Sequence, residues 1–470
     1  MGIFRKIKEY TRKQYYSAHM PGHKSGKFLP EDLRESFGEA VFQFDITETP
    51  GVDNLQNPQG IIKDTETKIS RITGAKKANL LVNDSTGRLL AAIFTLARNK
   101  KIFVGSNCHQ SVYNAMIISG SNPVFLTPEL DQENGVELGV SPETLAEAVE
   151  NNPECKVLVL TFPNYYGIRY KYKEIFRIAK ENNLQIIIDE AHGAHFNFMK
   201  EKFPNAITLG AHVVVQSWHK TLPVLNQGSV LLEGEGLESF NFRENINMFQ
   251  TTSPSYLIMS SLDAAADFLE GKNKEIILRG EQWQEFFRKI KLRNLIIFRY
   301  KEEEKDPFKL IVLSKKESGT LFWEIVIDKY KIQPEIIEQG RLLFMLPLFF
   351  DGELAERINN ALLDLDNNLE DKRIMDKFEE PERKKIFTFK KTPQEMSYLH
   401  KEKVSLKECV GKICAQKILM YPPGVPLIYP GEVLSEEIVC YLNRHKINYS
   451  LQEGIEIFSD QENLKCADYL

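Results

Sequence analysis

The stretch Val213-Val-Val-Gln-Ser-Trp-His-Lys220-Thr-Leu-Pro223 decides the predicted fold of this chain. Its opening run of valines predicts a buried strand, because short β-branched runs that end in polar residues are typical of parallel-sheet cores. The strand ends at Gln216, and Lys220 follows within about one turn. In an open α/β sheet the carboxyl ends of the strands face the ligand crevice, so a lysine there is placed for chemistry. A lysine after a single strand is also an ordinary solvated loop residue, so this interpretation needs support from elsewhere in the chain.

A second stretch, Gln185-Ile-Ile-Ile-Asp189-Glu-Ala-His192-Gly-Ala-His195, repeats this design upstream. An apolar strand again ends on a polar residue, Asp189, and small residues and histidines follow. Together the two stretches predict a site that holds a lysine amine and a carboxylate able to pair with a cation. Covalent catalysis through a Schiff base with pyridoxal 5'-phosphate requires such a lysine, and it requires an acid against the pyridine nitrogen. An isolated pair such as His192 and His195 is weak evidence for a metal, and we predict none.

The alternation of strands and helices from Ala78 onward predicts the fold class. It favours an α/β fold with a mostly parallel, seven-stranded sheet covered by helices on both faces. The seven predicted strands are Leu80–Val82, Ile102–Val104, Val124–Leu126, Val157–Leu160, Ile186–Ile188, Val213–Val215 and Val230–Leu232.

The remainder of the chain predicts a smaller C-terminal α+β domain. A long helix is expected from Tyr256 towards Gly271, and further strands are expected near Lys309–Leu313 and Phe322–Ile327. At 470 residues the chain is too long for one ordinary hydrophobic core. The predicted divisions are an N-terminal segment over 1–35, a large cofactor-binding domain over 36–270, and a C-terminal part over 271–470 with a charged connector near 364–391.

The composition limits the classes of partner and the compartment. A net charge of -5 provides no general electrostatic reason to bind nucleic acid or an anionic membrane. No apolar run approaches the length of a membrane span, and the basic N-terminus lacks the apolar segment of a signal peptide. The six cysteines show no paired metal-ligand spacing. We therefore expect a cytoplasmic protein with free thiols.

The letters Asp189-Glu-Ala-His192 also spell a signature of nucleic-acid helicases. A helicase needs a phosphate-binding loop of the form Gly, four residues, Gly, Lys, Ser or Thr. The nearest approach is Gly22-His-Lys-Ser-Gly26-Lys27-Phe28, which has the wrong spacing and a phenylalanine where a hydroxyl must bind magnesium. The sequence therefore argues against a helicase.

Two further strand ends carry polar groups suited to a cofactor. The first predicted strand runs into Asn83-Asp-Ser85-Thr86-Gly87-Arg88, where backbone N–H groups at a helix start and two hydroxyls would form an anion site. Alternatively, Ser85 only caps the helix. The segment Ser106-Asn107-Cys108-His109 follows the second predicted strand. Its imidazole could stack on a cofactor ring, or it could cap the helix that follows.

These motifs resemble the prokaryotic ornithine/lysine/arginine decarboxylase family, which has the aspartate-aminotransferase-like fold of fold type I pyridoxal-phosphate enzymes. The resemblance also covers Pro21–Lys24 and Asp45–Leu55 near the start, and Tyr421–Pro426 and Pro430–Glu432 near the end. It implies decarboxylation of arginine, lysine or ornithine to the corresponding amine and carbon dioxide, dependent on pyridoxal 5'-phosphate. It further implies a role in polyamine biosynthesis and a homodimer or higher homo-oligomer with active sites at the subunit interface.

The resemblance also implies roles for individual residues. Lys220 would carry the cofactor as a Schiff base, Asp189 would pair with the pyridine nitrogen, and His109 would stack on the ring. Further contacts with the cofactor are implied for Ser85, Thr86, His192, Ser217, His219, Thr252 and Ser253. Of these, Thr252 and Ser253 would reach the phosphate in the neighbouring subunit. An acidic side chain should meet the distal cation of the substrate, and the candidates are Glu48, Asp53 and Glu432.

The chain departs from the family pattern in its phosphate loop, which is usually Gly-Ser-Thr-Ser-Gly-Asn. The residues at the four changed positions are Asp84, Gly87, Arg88 and Leu89. A carboxylate at Asp84 would repel a phosphate, whereas Arg88 could attract one. Trp218 stands where the family usually has threonine, and Gln416 stands where it usually has glutamate. Two alternatives therefore stay open: a non-catalytic or weakly active homologue with a binding or regulatory role, and an aminotransferase of the same fold.

Overall fold

The computed structural model describes residues 2–338, 340–374, 383–420, 424–445 and 454–459. Residues 375–382 of the predicted connector and residues 421–423 of the late motif lie outside the described part of the chain. The α-helices are α1 (Ile3–Thr11), α2 (Glu31–Phe44), α3 (Ile61–Thr73), α4 (Thr86–Ala97), α5 (Gln110–Ser119), α6 (Pro142–Asn151), α7 (Tyr172–Glu181), α8 (Trp218–Thr221), α9 (Phe242–Phe249), α10 (Tyr256–Leu269), α11 (Asn273–Arg288), α12 (Gly352–Asn368), α13 (Pro393–Ser397) and α14 (Glu436–His445). Short 3-10 helices cover Ala194–Phe198 and Glu302–Glu304, and a π-helix covers Trp323–Lys329.

Strands alternate with these helices over much of the chain, as expected for an α/β protein. They are β1 (Lys77–Leu81), β2 (Lys101–Gly105), β3 (Asn122–Leu126), β4 (Glu129–Leu130), β5 (Glu137–Gly139), β6 (Val157–Thr161), β7 (Gln185–Asp189), β8 (Val213–Gln216), β9 (Ser229–Glu233), β10 (Leu295–Ile297), β11 (Lys309–Ser314), β12 (Ile336–Glu338), β13 (Arg341–Met345), β14 (Ile386–Thr388), β15 (Lys401–Val404), β16 (Ile418–Met420), β17 (Val425–Ile428) and β18 (Ile455–Phe458).

The chain forms two compact units, and each is built from two separate stretches. The first unit contains residues 1–95 and 186–273, and the second contains residues 96–185 and 274–470. The predicted domain divisions at residues 35 and 270 stay a prediction.

The sheet of the first unit places three strand ends at one edge. Its strand order is β1, β9, β8, β7. Strands β7 and β8 are parallel, with Asp189 opposite Val215, and β9 is antiparallel to both β8 and β1. Strands β1, β7 and β8 therefore run in the same direction, so their carboxyl ends meet at one edge of the sheet. The three valines that begin with Val213 are completely buried in this sheet.

Helices outside this sheet are held by specific polar contacts. The carboxylate of Asp53 accepts hydrogen bonds from the backbone N–H groups of Gln59, Gly60 and Ile62, at the start of α3. Such bonds satisfy backbone donors that have no partner within the helix. On α10, the buried carboxylate of Asp263 accepts a hydrogen bond from Lys68 Nζ at 2.7 Å. The first unit thus fixes its outer helices through the half-buried Asp53 and the buried Asp263.

The second unit contains a parallel sheet and an antiparallel sheet. Strands β6, β2 and β3 are parallel neighbours, and β14 pairs antiparallel with β3. A second sheet, with the order β10, β11, β13, β12, is antiparallel throughout. One face of this second sheet contributes Ile311 and Leu343 to a hydrophobic cluster that also contains Val136 and Phe298. The strands of this antiparallel sheet lie between Leu295 and Met345, and the separate α+β domain predicted over 271–470 stays a prediction.

The fold class is confirmed: the chain has a mixed α/β fold with a large, mostly parallel sheet flanked by helices. All seven predicted strands are observed, and β14 is an additional strand that the alternation did not predict. No helix within the described ranges is both long and apolar enough to cross a membrane.

One predicted strand is wrong. Residues Phe322–Ile327 form the end of a helical turn and most of the π-helix. The buried side chains in this segment are Phe322, Ile325 and Val326, while Trp323 and Glu324 are exposed. Spacings of three and four residues are helical, so the apolar run follows a helical period rather than the two-residue period of a strand.

Candidate active site

Three segments follow the carboxyl ends of β1, β7 and β8 at one edge of the first unit's sheet, and they carry several of the predicted site residues. The loop after β1 contains Asp84 and Ser85, the loop after β7 begins at Asp189, and the turn after β8 leads into α8 with Lys220. Because the strands run in the same direction, residues far apart in the sequence come together here.

The amine of Lys220 lies 3.3 Å from Nε2 of His192. Lys220 is part of the one-turn helix α8, and its backbone N–H donates to the carbonyl of Ser217 at 3.1 Å. The lysine ammonium can donate a hydrogen bond to the unprotonated nitrogen of the imidazole. The histidine is therefore placed to accept a proton from the amine.

Asp189 is buried at the end of β7, with 4% of its surface exposed. Burial raises the pKa of Asp189 to about 6, although the charge of Lys220 and the hydrogen bond from the Ala191 N–H at 3.1 Å act to lower it. Burial in a poorly solvated site disfavours the ionised form of a carboxyl group. A cation placed against Asp189 would favour its ionised form.

The loop after β1 holds Asp84 in the left-handed region, at φ 64°. One carboxylate oxygen accepts hydrogen bonds from the Ser85 N–H at 2.6 Å and from the Ser217 hydroxyl at 3.3 Å, and it lies 3.8 Å from His219 Nε2. Burial acts to raise the pKa of Asp84, but the Ser85 hydrogen bond and the charges of His219, Lys220 and Arg88 outweigh it and lower the pKa. The half-buried Asp84 is thus held as an anion, next to three of the predicted phosphate contacts.

Arg88 is buried beneath this loop. Its guanidinium donates to Ser229 Oγ at 2.8 Å and to Gln250 Oε1 at 3.4 Å. Burial holds the pKa of Arg88 well below its usual value, although the charge of Asp84 opposes this effect. The positive charge of Arg88 therefore acts on Asp84 in the loop, while its N–H groups donate hydrogen bonds to Ser229 and Gln250.

A buried polar network beside the site was missed by the sequence analysis. Glu190 is fully buried and accepts hydrogen bonds from Gln216 Nε2 at 2.6 Å and from the Ala206 N–H at 2.9 Å. Gln216 Oε1 in turn accepts from Asn197 Nδ2 at 2.8 Å and from Trp218 Nε1 at 3.0 Å. Trp218 is thus fixed inside the protein by its indole N–H. Consecutive side chains in a strand point to opposite faces, and this rule could have separated Glu190 from Asp189.

Other predicted residues of the first unit are held by different contacts. Thr252 and Ser253 are exposed in the segment before α10. Asp53 caps α3 through the hydrogen bonds described above, and its pKa is lowered because the backbone N–H groups outweigh the effect of burial. Glu48 is half-buried and accepts a hydrogen bond from the hydroxyl of Thr47 at 2.7 Å. Thr86 is the half-buried first residue of α4.

Two predicted residues belong to the second unit. Nδ1 of His109 accepts a hydrogen bond from the Ser111 N–H at 3.2 Å and thereby caps α5. Glu432 accepts from the Tyr429 N–H at 2.8 Å and from Arg383 at 3.2 Å. The helix-capping alternative for His109 is therefore observed. Its proposed stacking on a cofactor ring stays a prediction.

No cluster of three or more histidine, cysteine, aspartate or glutamate side chains is placed to hold a metal ion in the described part of the chain. The fold and the cluster of Lys220, His192 and Asp189 define an α/β protein with a lysine-centred candidate active site.

The chain belongs to the Orn/Lys/Arg decarboxylase family. The major domain of this family matches residues 2–334, and its C-terminal domain matches residues 372–450.

Relatives with similar lengths support this assignment. The chain is 33% identical over 455 residues to the uncharacterised protein YaaO of Bacillus subtilis, with 94% of this chain and 93% of that protein covered. It is 29% identical to an arginine decarboxylase of Bacillus subtilis, with 94% and 92% covered. A solved structure of constitutive lysine decarboxylase from E. coli has a TM-score of 0.79 at 19% identity, with 97% and 82% covered, and thus shares the fold.

Proposed function

We propose that this chain is a pyridoxal 5'-phosphate-dependent decarboxylase that converts a basic amino acid, arginine, lysine or ornithine, to the corresponding amine and carbon dioxide. The observation that carries the proposal is the contact of 3.3 Å between Lys220 Nζ and His192 Nε2 at the strand edge where Asp189 is buried. These residues occur in a member of a family of decarboxylases for these amino acids.

The residues at this edge fit the ring half of the cofactor. Lys220 supplies the amine that pyridoxal 5'-phosphate requires, and Asp189 supplies a buried acid for a pyridine nitrogen. Ser85, Ser217 and His219 supply donors for the phosphate, and in this structure they face the carboxylate of Asp84. The chain thus has side chains and a backbone N–H suited to a phosphate, and the carboxylate of Asp84 lies among them.

Each of these side chains has a defined task in the proposed reaction. Pyridoxal 5'-phosphate, when bound, supplies a conjugated ring that accepts the electrons left by departing carbon dioxide. Asp189 would hold the ring nitrogen protonated, because an adjacent carboxylate favours the cationic form. His192 would accept the proton that Lys220 must lose before its nitrogen can act as a nucleophile. The residues around Lys220 would orient the scissile bond of the substrate, and this orientation would select decarboxylation over transamination.

The distal cation of a basic substrate needs an acid that is not already bound by backbone donors. Asp53 is engaged by the start of α3, and Glu432 by Arg383 and a backbone N–H. Glu48 has one described hydrogen bond, from the hydroxyl of its neighbour Thr47. We therefore favour Glu48 as the acid that binds the substrate.

The proposal includes a homodimer or higher homo-oligomer in the cytoplasm, with a role in polyamine biosynthesis. The exposure of Thr252 and Ser253 supports a contact with a neighbouring subunit, because side chains buried within their own unit could not reach one. Loss of activity on dilution to a monomer would support a shared site, and a fully active monomer would contradict it.

The function is tested with the purified chain supplied with pyridoxal 5'-phosphate and, separately, arginine, lysine and ornithine. We expect one of the three to yield its amine and carbon dioxide in equal amounts. Lys220→Ala should form neither product. Covalently bound cofactor without any amine would favour the non-catalytic alternative, and formation of a keto acid without carbon dioxide would favour an aminotransferase.

A further inference from the structure

The anion site after β1 is built from donors that converge on one carboxylate. Oδ1 of Asp84 lies 2.6 Å from the Ser85 nitrogen, 3.3 Å from Ser217 Oγ and 3.8 Å from His219 Nε2. These three residues are among those that the proposed cofactor would use for its phosphate. The carboxylate of Asp84 therefore already accepts hydrogen bonds from groups that a phosphate would need.

The backbone of Asp84 fixes this arrangement. Its φ of 64° places it in the left-handed region, and its N–H donates to the carbonyl of Gln227 at 3.1 Å. Asp84 also receives positive potential from Arg88, whose guanidinium is buried and whose Nε has no hydrogen-bond partner among the described residues. A buried cation of this kind favours an anion in the loop above it.

We propose that Asp84 is an internal occupant of the phosphate site and weakens the preference of the chain for the phosphorylated form of its cofactor. A phosphate that enters this site must either displace the carboxylate from Ser85 and Ser217 or bind beside it. Both arrangements weaken the binding of the phosphate, because it and the carboxylate are negatively charged and repel each other at close range. An unphosphorylated pyridoxal brings no second anion. The chain should therefore bind pyridoxal 5'-phosphate with a smaller advantage over pyridoxal than a chain without this carboxylate. The inference rests on the cofactor that the proposed function names.

Two substitutions separate the charge of Asp84 from its size. Asp84→Asn keeps the shape and removes the charge. Asp84→Gly removes both, and glycine adopts the left-handed conformation without strain. The matched control is Glu235→Gln, which removes one negative charge from a carboxylate that is 84% exposed. The measurement is titration of each cofactor-free full chain with pyridoxal 5'-phosphate and with pyridoxal, followed by absorbance.

We expect both Asp84 variants to bind pyridoxal 5'-phosphate at least about tenfold more tightly than the unmodified chain. Their affinity for pyridoxal should stay within about twofold, as should both affinities of the Glu235→Gln control. An unchanged affinity for pyridoxal 5'-phosphate in both variants would overturn the inference. An equal gain for pyridoxal would overturn it as well, because the effect would then lie outside the phosphate site. If Asp84→Gly does not fold, Asp84→Asn decides the question.

A second titration separates this inference from the proposed function. If no chain binds either form of the cofactor, the proposed function fails, and inorganic phosphate then tests the anion site alone. We expect phosphate to raise the thermal unfolding temperature of the Asp84 variants more than that of the unmodified chain and the control. Equal phosphate-dependent shifts in all four proteins would overturn the role of Asp84.

Discussion

The Nζ atom of Lys220, in the helical turn after β8, lies 3.3 Å from Nε2 of His192, in the loop after the neighbouring parallel strand β7. The described hydrogen-bond partner of the amine is thus an imidazole, while the charge of Lys220 also acts on the carboxyl groups of Asp189 and Asp84. An ion pair with a carboxylate would hold the lysine protonated, whereas an unprotonated imidazole can accept its proton. This arrangement suits a lysine that acts as a nucleophile.

Substitution of Lys220 should abolish covalent attachment of the cofactor. In Lys220→Ala the amine that forms the bond is missing, so reduction with borohydride should leave no cofactor on the protein, and amine production should be lost. The readout is the mass of the intact reduced protein. Lys76→Ala, which changes a lysine with 61% of its side chain exposed, should behave like the unmodified chain. Retention of the cofactor mass in Lys220→Ala would show that another lysine is the attachment point.

Replacement of His192 should slow the reaction while the fold is retained. His192→Phe keeps a flat ring and removes the nitrogen that accepts a hydrogen bond from Lys220. We expect covalent attachment of the cofactor to become about 10²- to 10⁴-fold slower, the range for loss of a positioned proton acceptor. The attachment rate is measured by stopped-flow absorbance across a range of pH.

The pH dependence of that rate distinguishes a proton acceptor from a packing residue. In His192→Phe the rate should recover as the pH rises towards the point where lysine loses its proton to solvent. The matched control is His19→Phe at an exposed position. A uniform loss of rate at every pH would contradict the role of His192 as an acceptor.

The stability of the cofactor-free protein should decrease as Asp189 ionises. Burial raises the pKa of Asp189 from 3.8 to about 6, so the folded state retains a proton that the unfolded state has released. The free energy of unfolding therefore falls between about pH 4 and pH 6 and stays lowered above that range. In Asp189→Asn this loss is absent. We expect the variant to be more stable than the unmodified chain by about 2 to 3 kcal/mol near neutral pH.

Near pH 3 the two proteins should have similar stability, because Asp189 is then mostly protonated in both the folded and the unfolded state. Urea unfolding at a series of pH values provides the free energies. The control, Glu235→Gln, should follow the curve of the unmodified chain, because its carboxylate is exposed. An Asp189→Asn variant that is less stable at neutral pH would show that the carboxylate already has a cationic partner in the cofactor-free protein.

The buried network around Gln216 should be essential for stability. Gln216→Leu leaves Glu190 without its donor at 2.6 Å and removes the acceptor of Asn197 and Trp218. We expect the free energy of unfolding to fall by about 2 to 4 kcal/mol, because a buried carboxylate and two buried N–H groups lose partners. Chemical denaturation measures this loss. Gln59→Leu, at an exposed position, should be neutral, and an equal loss there would point to a general effect of leucine.

Much of the first-unit sheet could be predicted from the sequence because its strands are short, apolar and followed by polar residues. Val213–Val215 and Ile186–Ile188 are buried strands as expected, and their carboxyl ends carry the lysine and the acid. The segment Phe322–Ile327 was misassigned because a short apolar run fits a strand and a buried helical turn equally well. Burial on one side of the segment, which depends on tertiary packing, decided between them.

The family, the fold class and the strand ends that carry Asp189 and Lys220 could all be predicted from the sequence, because they depend on local apolar patterns and motif residues. The neighbours of these side chains could not, because they depend on how the strands pair. The tertiary structure paired Lys220 with His192, brought Glu190 into a buried network with Gln216, and placed the carboxylate of Asp84 next to Ser217, one of the predicted phosphate contacts. The reason is physical: these contacts join residues on different strands, and the direction and burial of their side chains are set by strand pairing rather than by neighbours in the sequence.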